Sequence, residues 1–173
     1  MAAPTGETIE RLLNQNSAAL VLYARQWTSD AEDCVQEAFI RLAACRQEPS
    51  DPVGWLYRVT RNTAINFLRS QSRRKSRERA AARPELVMQS RHAVELNRSA
   101  VETSLQSLPL EAREIVVARI WGKLSFQQIG KLIGASSSTA HRRYESALKQ
   151  IRDSLSITSP NSNREETQIC PND

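Results

Sequence analysis

Two short amphipathic helices joined by a tight turn are predicted between residues 108 and 155, and no other feature restricts the fold of this chain as strongly. Ser125 and Gln128 have the spacing of a capping box, in which the hydroxyl accepts a backbone N–H and the amide reaches back to the cap. Gly134 can adopt the left-handed conformation that ends a helix, and Ser136 can cap the next one. The apolar face of the first helix consists of Phe126, Ile129, Leu132 and Ile133. The pattern therefore predicts a helix-turn-helix.

The second helix of this pair has a polar and largely basic outer face. Its inward stripe consists of Ala140, Tyr144, Ala147, Leu148, Ile151 and Leu155, and its outward residues include His141, Arg142, Glu145 and Lys149. The major groove of duplex DNA admits one such helix, whose first residues meet base edges while cations bind phosphates. A helical hairpin with a solvated face has the same pattern, so this stretch alone leaves both interpretations open.

The charges are distributed in blocks along the chain. Residues 1–51 carry 4 basic and 8 acidic side chains, residues 52–83 carry 9 and 1, and residues 108–155 carry 8 and 4. Basic blocks favour a polyanionic partner, and the acidic block favours a different, protein partner. The chain has 5 glycines and is rich in helix-forming residues, so we expect an all-α fold.

The acidic block contains two predicted helices, the first of which contributes core. Residues 8–27 place apolar side chains at near-helical intervals, at Ile9, Leu12, Leu13, Leu20, Tyr23 and Trp27. Ser29 and Glu32 predict a capping box that starts a second helix, which ends near Cys45. Its inward stripe is Ala31, Cys34, Val35, Ala38 and Leu42, and its opposite side is Asp33, Gln36, Glu37 and Ile40. An aliphatic residue within an acidic face indicates either a docking surface or a solvated face with one exposed apolar side chain.

A third helix is predicted from Pro52 to about Ser70, with Asp51 as its N-cap and proline in its first turn. Its core side is Val53, Leu56, Val59, Thr63, Ala64 and Phe67, and its other side is Trp55, Arg58, Arg61, Asn62, Asn66 and Arg69. This combination suits single-stranded nucleic acid, since cations follow the backbone, a ring stacks on bases and amides bond to base edges. A solvated basic face with a partly buried tryptophan is the alternative.

The rest of the chain connects and completes these units. The segment QSRRKSRERAAAR after residue 70 lacks large apolar side chains and cannot form a core, and Arg83-Pro84 interrupts any helix. A fourth helix is predicted after about Ser90, with a sparse stripe of Val94, Val101 and Leu105, and Ile115, Val116 and Ile120 complete the core of the helix-turn-helix. We expect a helical domain at residues 5–70, a flexible basic linker at 71–90, a four-helix domain at 91–155 and a disordered tail at 156–173.

Several functional classes are not supported by the sequence. Cys34, Cys45 and Cys170 form no C-x-x-C pair and have no histidine at metal-ligand spacing, so we expect neither a zinc site nor a disulfide framework. There is no glycine-rich phosphate loop and no nucleophile with a partner histidine, so we expect no cofactor and no enzyme activity. No apolar run reaches membrane-spanning length and the start, MAAPTGE, lacks the features of a signal peptide, which predicts a cytoplasmic protein without a membrane partner.

Three segments together resemble the bacterial RNA polymerase sigma factors of the compact extracytoplasmic-function group. The segments are DAEDCVQEAFIRL at 30–42, WLYRVTRNTAINFLR at 55–69 and LPLEAREIVVARIWGKLSFQQIGKLIGASSSTAHRR at 108–143. The resemblance extends over residues 8–155 and follows the order of motifs in the family, which is far more specific than one helix-turn-helix. It implies the partners core RNA polymerase, through the β′ clamp helices and the β flap, and promoter DNA, with an anti-sigma protein as a further candidate.

The resemblance also implies a role for each polar face. The first motif of the family docks on the β′ clamp helices, which points to Asp33, Gln36, Glu37 and Ile40. The second binds and melts the minus-ten element and captures an unstacked base, which points to the loop at 46–54 with Trp55, Arg58, Arg61, Asn62, Asn66 and Arg69. The third reads the minus-thirty-five element as duplex, which points to Ser137, Ser138, Thr139, His141, Arg142 and Arg143. The turn departs from the family's small-Gly-Thr-Val pattern, so promoter sequence does not transfer.

Two other functions fit parts of the sequence. A free-standing regulator would bind duplex DNA through the helix-turn-helix and use the first half for sensing or dimerisation. Such a protein does not need the face between Trp55 and Arg69. A helical adaptor that binds only protein would leave the basic block at residues 52–83 unexplained.

Overall fold

The computed structural model describes residues 2–81 and 100–158, and within these ranges the chain forms seven helices and no strand. The helices are α1 (Gly6–Ala24), α2 (Ala31–Ala43), α3 (Pro52–Ala81), α4 (Ala100–Ser107), α5 (Leu110–Ile120), α6 (Phe126–Ile133) and α7 (Ser137–Thr158). The predicted all-α class and the four helices of the second half are confirmed. None of the described helices is long and apolar enough to cross a membrane.

The helix-turn-helix is formed by α6 and α7, with the start and stop signals used as predicted. Ser125 and Gln128 form both hydrogen bonds of the capping box. Gly134 ends α6 with a φ of 69°, and the Ser136 hydroxyl accepts the backbone N–H of Thr139 at 3.1 Å. These local contacts set the tight turn that fixes the two helices relative to each other.

The capping box predicted from Ser29 and Glu32 does not form. Helix α2 begins after Asp30, which makes no side-chain capping bond, and Ser29 donates its hydroxyl to Asp30 instead. The Glu32 carboxylate accepts a hydrogen bond from the Arg25 guanidinium at 2.7 Å. A charge-assisted bond is stronger than one to a neutral backbone N–H. The prediction failed because the end of α1 brings Arg25 within reach of Glu32.

Helix α3 was predicted to end near Ser70, but it continues to Ala81. The added segment is rich in Arg, Lys, Gln, Glu and Ala, which are strong helix formers. Its lack of apolar residues prevents core formation but does not prevent a solvated helix. Residues 82–99 and 159–173 lie outside the described residues, and they include the second part of the predicted linker and most of the predicted tail. The predicted domain boundaries therefore stay predictions.

The predicted core faces of α2 and α3 are largely buried. All five inward residues of α2 are buried, and Phe39 joins them. On α3, Leu56, Thr63 and Ala64 are buried as predicted, while Val53, Val59 and Phe67 are half-buried. Tyr57 and Thr60, which were not assigned to the core, are also fully buried. Helix α3 thus buries more than one stripe because it packs on α1, α2 and α6.

Two predicted core residues are exposed instead. Leu13 retains 42% and Ile120 retains 46% of their accessible surface. In α5 the buried apolar positions are Ile115, Val116, Val117 and Ala118, and Glu114 is buried beside them. Helix α5 packs against α1 as well as α7, so its buried face is rotated away from Ile120.

The larger of two hydrophobic core clusters extends across both halves of the molecule. Helix α5 packs on α1, and α6 packs on α3. The shared cluster contains Leu20, Tyr23, Leu56 and Tyr57 of the first half with Ile115, Val117, Leu124 and Ile129 of the second. The sequence predicted the two helical units but not their contact.

We expect Gly134→Ala to destabilise the fold by on the order of 1 kcal/mol, because an L side chain disfavours the left-handed backbone. No neighbouring atom lies within 4 Å of the added Cβ, so the cost is purely conformational. Gly6→Ala is the control, since its Cβ also meets nothing but its backbone is ordinary. Urea unfolding should show a neutral or slightly stabilising effect for Gly6→Ala. Equal destabilisation by both changes would contradict the backbone explanation.

Candidate nucleic-acid interface

The outer face of α3 presents a row of cationic and amide side chains. Its exposed members are Arg58, Asn62, Asn66 and Arg69. Because these residues recur every three or four positions, they share one side of the helix. Four of the six residues predicted to contact the minus-ten element therefore lie together and accessible.

Trp55 is half-buried and contacts the core, so its ring is not a freely exposed platform. It lines a cavity of about 160 Å³ between the start of α3 and helix α6. Asp51, Arg58, Gln128 and Lys131 also line this cavity. The tryptophan thus belongs to a cleft whose two walls come from different halves of the chain.

Arg61 does not lie on the free face, which corrects its predicted placement. Its Nε donates to Oε1 of Glu114 at 2.6 Å, and its Nη2 donates to Oε2 of the same residue at 3.4 Å. The side chain of Arg61 is 28% exposed and that of Glu114 is 3% exposed. Arg61 faces α5 because that helix packs against the first half, and the sequence contains no local sign of this packing.

Tyr23 is the second donor to the buried carboxylate, with its hydroxyl 2.5 Å from Oε1 of Glu114. Burial, together with the charge and the hydrogen bond of Glu114, holds the pKa of Tyr23 well above its usual value. Burial acts to lower the pKa of Arg61, but the hydrogen bond and charge of Glu114 outweigh it and raise that pKa. The net result at both residues is a protonated donor facing Glu114.

Sequence reasoning missed Glu114, although a signal was present. Glu114 precedes Val117 and Ala118 by three and four residues, so it falls on the apolar face of α5. A charged residue at such a position is rarely fully buried without a partner. The sequence therefore indicated a buried pair, but it did not identify Tyr23 or Arg61 as the partners.

The outer face of α2 is accessible, as predicted. Asp33, Gln36 and Ile40 are exposed, and Ile40 retains 56% of its accessible surface. Glu37 is half-buried and accepts a hydrogen bond from Arg41 at 2.7 Å. A groove of about 520 Å³ separates this face from α3, and its lining includes Asp33, Glu37, Thr63, Asn66 and Phe67. The acidic face therefore borders the amide row of α3 directly.

The start of α7 presents most of its predicted groove-facing residues to solvent. Ser137, Ser138, His141, Arg142 and Arg143 are exposed, while Thr139 is half-buried in the turn. The His141 ring meets the Phe126 ring edge-on at a centroid distance of 4.8 Å. This contact orients a side chain of α7 against α6, so the two helices present one preformed surface.

No cluster suited to a metal ion occurs among the residues that the structure describes. In the same part of the chain, the Cys34 thiol is buried and the Cys45 thiol is half-buried, and neither forms a disulfide.

Comparison with known protein families gives two matches in the order of the chain. The model for Sigma-70 region 2 matches residues 11–74, which contain α1, α2 and most of α3. The model for Sigma-70 region 4 matches residues 104–153, which contain the helix-turn-helix. All three polar faces described above lie within these matches.

Curated proteins with similar sequences are sigma factors. The ECF RNA polymerase sigma factor SigE of Mycolicibacterium smegmatis is 32% identical over 134 residues, which cover 73% of this chain and 52% of SigE. The probable RNA polymerase sigma factor RfaY of Xanthomonas campestris is 30% identical, with 79% and 37% covered. SigV of Bacillus subtilis is 26% identical, with 73% and 76% covered. The chain thus spans about half or less of the length of SigE and RfaY.

Two solved structures share the fold. The sigma factor RpoE of Bartonella quintana, in complex with the anti-sigma factor NepR, has a TM-score of 0.63 and 18% identity, with 90% of this chain and 100% of that chain covered. CnrH, in complex with the cytosolic domain of CnrY, has a TM-score of 0.59 and 20% identity, with 90% and 92% covered. At these identities the likeness establishes the fold alone.

Proposed function

This chain belongs to the sigma-70 family of RNA polymerase sigma factors, in its extracytoplasmic-function group, and on that basis we propose that it directs core RNA polymerase to promoters and assists in melting them. The observation that carries the proposal is the presence of both region 2 and region 4, each with an accessible polar face. We further propose that it acts in the cytoplasm as a non-enzymatic initiation factor.

Each face is assigned a different partner. The acidic face of α2, with its exposed Ile40, suits a protein surface, which we take to be the β′ clamp helices of core polymerase. The amide and arginine row of α3 suits the unpaired strand of the minus-ten element. The exposed start of α7 suits the major groove of the minus-thirty-five element. The β flap is the proposed contact of region 4, and an anti-sigma protein is the proposed regulator.

The decisive test is co-purification of the full chain with core polymerase, followed by transcription from a library of promoters. A sigma factor gives initiation at defined sites that depends on its addition. A free-standing helix-turn-helix regulator would bind duplex DNA without core enzyme and would give no such transcripts. That result would replace the proposal.

We expect the double variant Asp33→Lys, Glu37→Lys to bind core polymerase more weakly, because it reverses the charge of the α2 face. The matched control is Glu7→Lys, Glu10→Lys, which makes the same change in net charge at exposed positions of α1. Binding is measured by fluorescence anisotropy, and helicity by circular dichroism. Unchanged affinity in a folded α2 variant would remove this face from the polymerase interface.

Arg142→Ala and Arg143→Ala should weaken binding of holoenzyme to the upstream duplex, whereas changes at Ser138 or His141 should alter base preference. A lost phosphate contact lowers affinity for all sequences and flattens the salt dependence, while a lost base contact costs about 1 to 3 kcal/mol at one position. Arg11→Ala, an exposed arginine of α1, is the control. Promoter selection in which all four α7 variants match the parent would refute groove docking.

Asn62→Ala should impair strand opening more than duplex binding, because an exposed amide suits the edge of an unstacked base. Unpairing costs a few kcal/mol, so the loss of one contact that holds the unpaired base slows melting measurably. Transcription is compared on a duplex promoter and on the same promoter with a pre-melted minus-ten bubble. The variant should fail on the duplex and recover on the bubble.

Asn14→Ala on α1 is the control for this experiment, since it removes an equally exposed amide from another helix. Parental activity of Asn62→Ala on both templates would remove Asn62 from the site. An equal defect on both templates would indicate a role in binding or folding instead.

A further inference from the structure

The buried carboxylate of Glu114 is bound by donors from the other half of the molecule. Glu114 lies on α5, whereas its donors Tyr23 and Arg61 lie on α1 and α3. Burial of an unpaired carboxylate is strongly unfavourable, so the contact between the halves buries Glu114 at acceptable cost only because Tyr23 and Arg61 supply donors there. The ion pair therefore depends on the closed arrangement and also stabilises it against alternatives.

A second polar contact joins the two halves next to the start of α3, on the side of the proposed minus-ten face. The Gln128 amide of α6 donates to Oδ1 of Asp51 at 2.9 Å, and the same oxygen accepts the backbone N–H of Gly54 at the start of α3. Helix α6 thus contacts the end of the loop at residues 46–54, where the proposed function places an unstacked base. A strand bound along this part of α3 would have to displace Gln128.

The two halves also meet with little free space at Gly122. A Cβ at this position would lie 2.5 Å from the Tyr57 hydroxyl, which requires one of the two groups to move. Tyr57 is fully buried on α3. This close fit shows that the two halves are tightly packed against each other at this point.

The contact between the two halves changes the accessibility of the two proposed DNA faces to different extents. Arg61, Trp55 and Asp51 of the minus-ten side are each engaged with, or face, the second half. By contrast, the groove-facing residues at the start of α7 are exposed, apart from the half-buried Thr139. The closed form, in which the two halves are in contact, therefore limits access to the proposed single-strand face of α3. It leaves the proposed duplex-binding face at the start of α7 exposed.

We propose that Glu114 competes with nucleic acid for Arg61, so that their ion pair latches the free chain in a closed form with a restricted α3 face. A carboxylate and a phosphate offer a guanidinium the same paired-oxygen geometry, so one arginine cannot serve both at once. Binding of a strand to the full α3 face then requires release of Glu114. The inference rests on the proposed function of that face and adds a condition for its use.

The test uses the full chain with Glu114→Gln, which keeps the shape of the side chain but removes its charge. Glu10→Gln on α1 is the control, because it makes the same change in net charge at an exposed site. Small-angle X-ray scattering measures the radius of gyration, and fluorescence anisotropy measures affinity for a labelled single-stranded oligonucleotide with a minus-ten sequence. We expect a larger radius and an affinity gain of about fivefold or more for Glu114→Gln, since the closed population no longer masks the site.

Two further variants keep the test decisive if Glu114→Gln folds poorly. Tyr23→Phe removes one hydrogen bond from Glu114 without a charge change and keeps the ring that packs on Trp27 and Tyr57. It should give a smaller gain in the same direction. Adding Arg61→Gln to Glu114→Gln should abolish the gain in affinity, because Arg61 is the group that the latch releases.

Unchanged radius and affinity in folded Glu114→Gln and Tyr23→Phe would overturn the proposal. An equal affinity gain in Glu10→Gln would also overturn it, since net charge alone would then explain the result. Failure of the proposed function has a different signature. In that case the scattering change would persist, while core polymerase with any variant would give no promoter-specific transcripts.

Discussion

The buried carboxylate of Glu114 determines how the two halves of this chain fit together. The surrounding apolar contacts, such as those of Leu20 and Ile115, favour association through buried area, whereas an ion pair with paired oxygens also requires a particular orientation of donor and acceptor. A buried ion pair adds little net stability, yet removing one partner costs about 3 to 5 kcal/mol. The pair of Arg61 and Glu114 therefore disfavours any arrangement of α1, α3 and α5 in which Glu114 stays buried without its donors.

Helix α3 links this packing to function because its different sides have different tasks. One side carries Leu56 and Tyr57 into the shared core, and another carries Asn62 and Asn66 in the exposed row. Arg61 lies between these sides, half in the core and half at the edge of the row. A change in the contact between the halves therefore changes the surroundings of the proposed nucleic-acid face through Arg61. The contact between the halves and the exposed row are coupled directly, because both involve side chains of the same helix.

Predictions from local sequence patterns were correct where all the interacting residues are near one another in the chain. The capping box of Ser125 and Gln128 formed. The same motif at Ser29 and Glu32 did not form, and Glu32 instead accepts a hydrogen bond from Arg25. Likewise, all five residues of the predicted α2 stripe are buried, although Phe39 joins them because α2 packs on both α1 and α3. The assignment of Ile120 to the core failed because α5 packs on two sides.

The sequence by itself determined the all-α class, the helix-turn-helix and the three polar faces, because helical periodicity and capping depend on residues a few positions apart. Only the tertiary structure decided which members of those faces are withdrawn from solvent. Arg61 and Glu114 are 53 positions apart, Asp51 and Gln128 are 77 apart, and Tyr23 and Glu114 are 91 apart. No local pattern specifies such pairs, since they depend on the packing of α5 and α6 against α1 and α3.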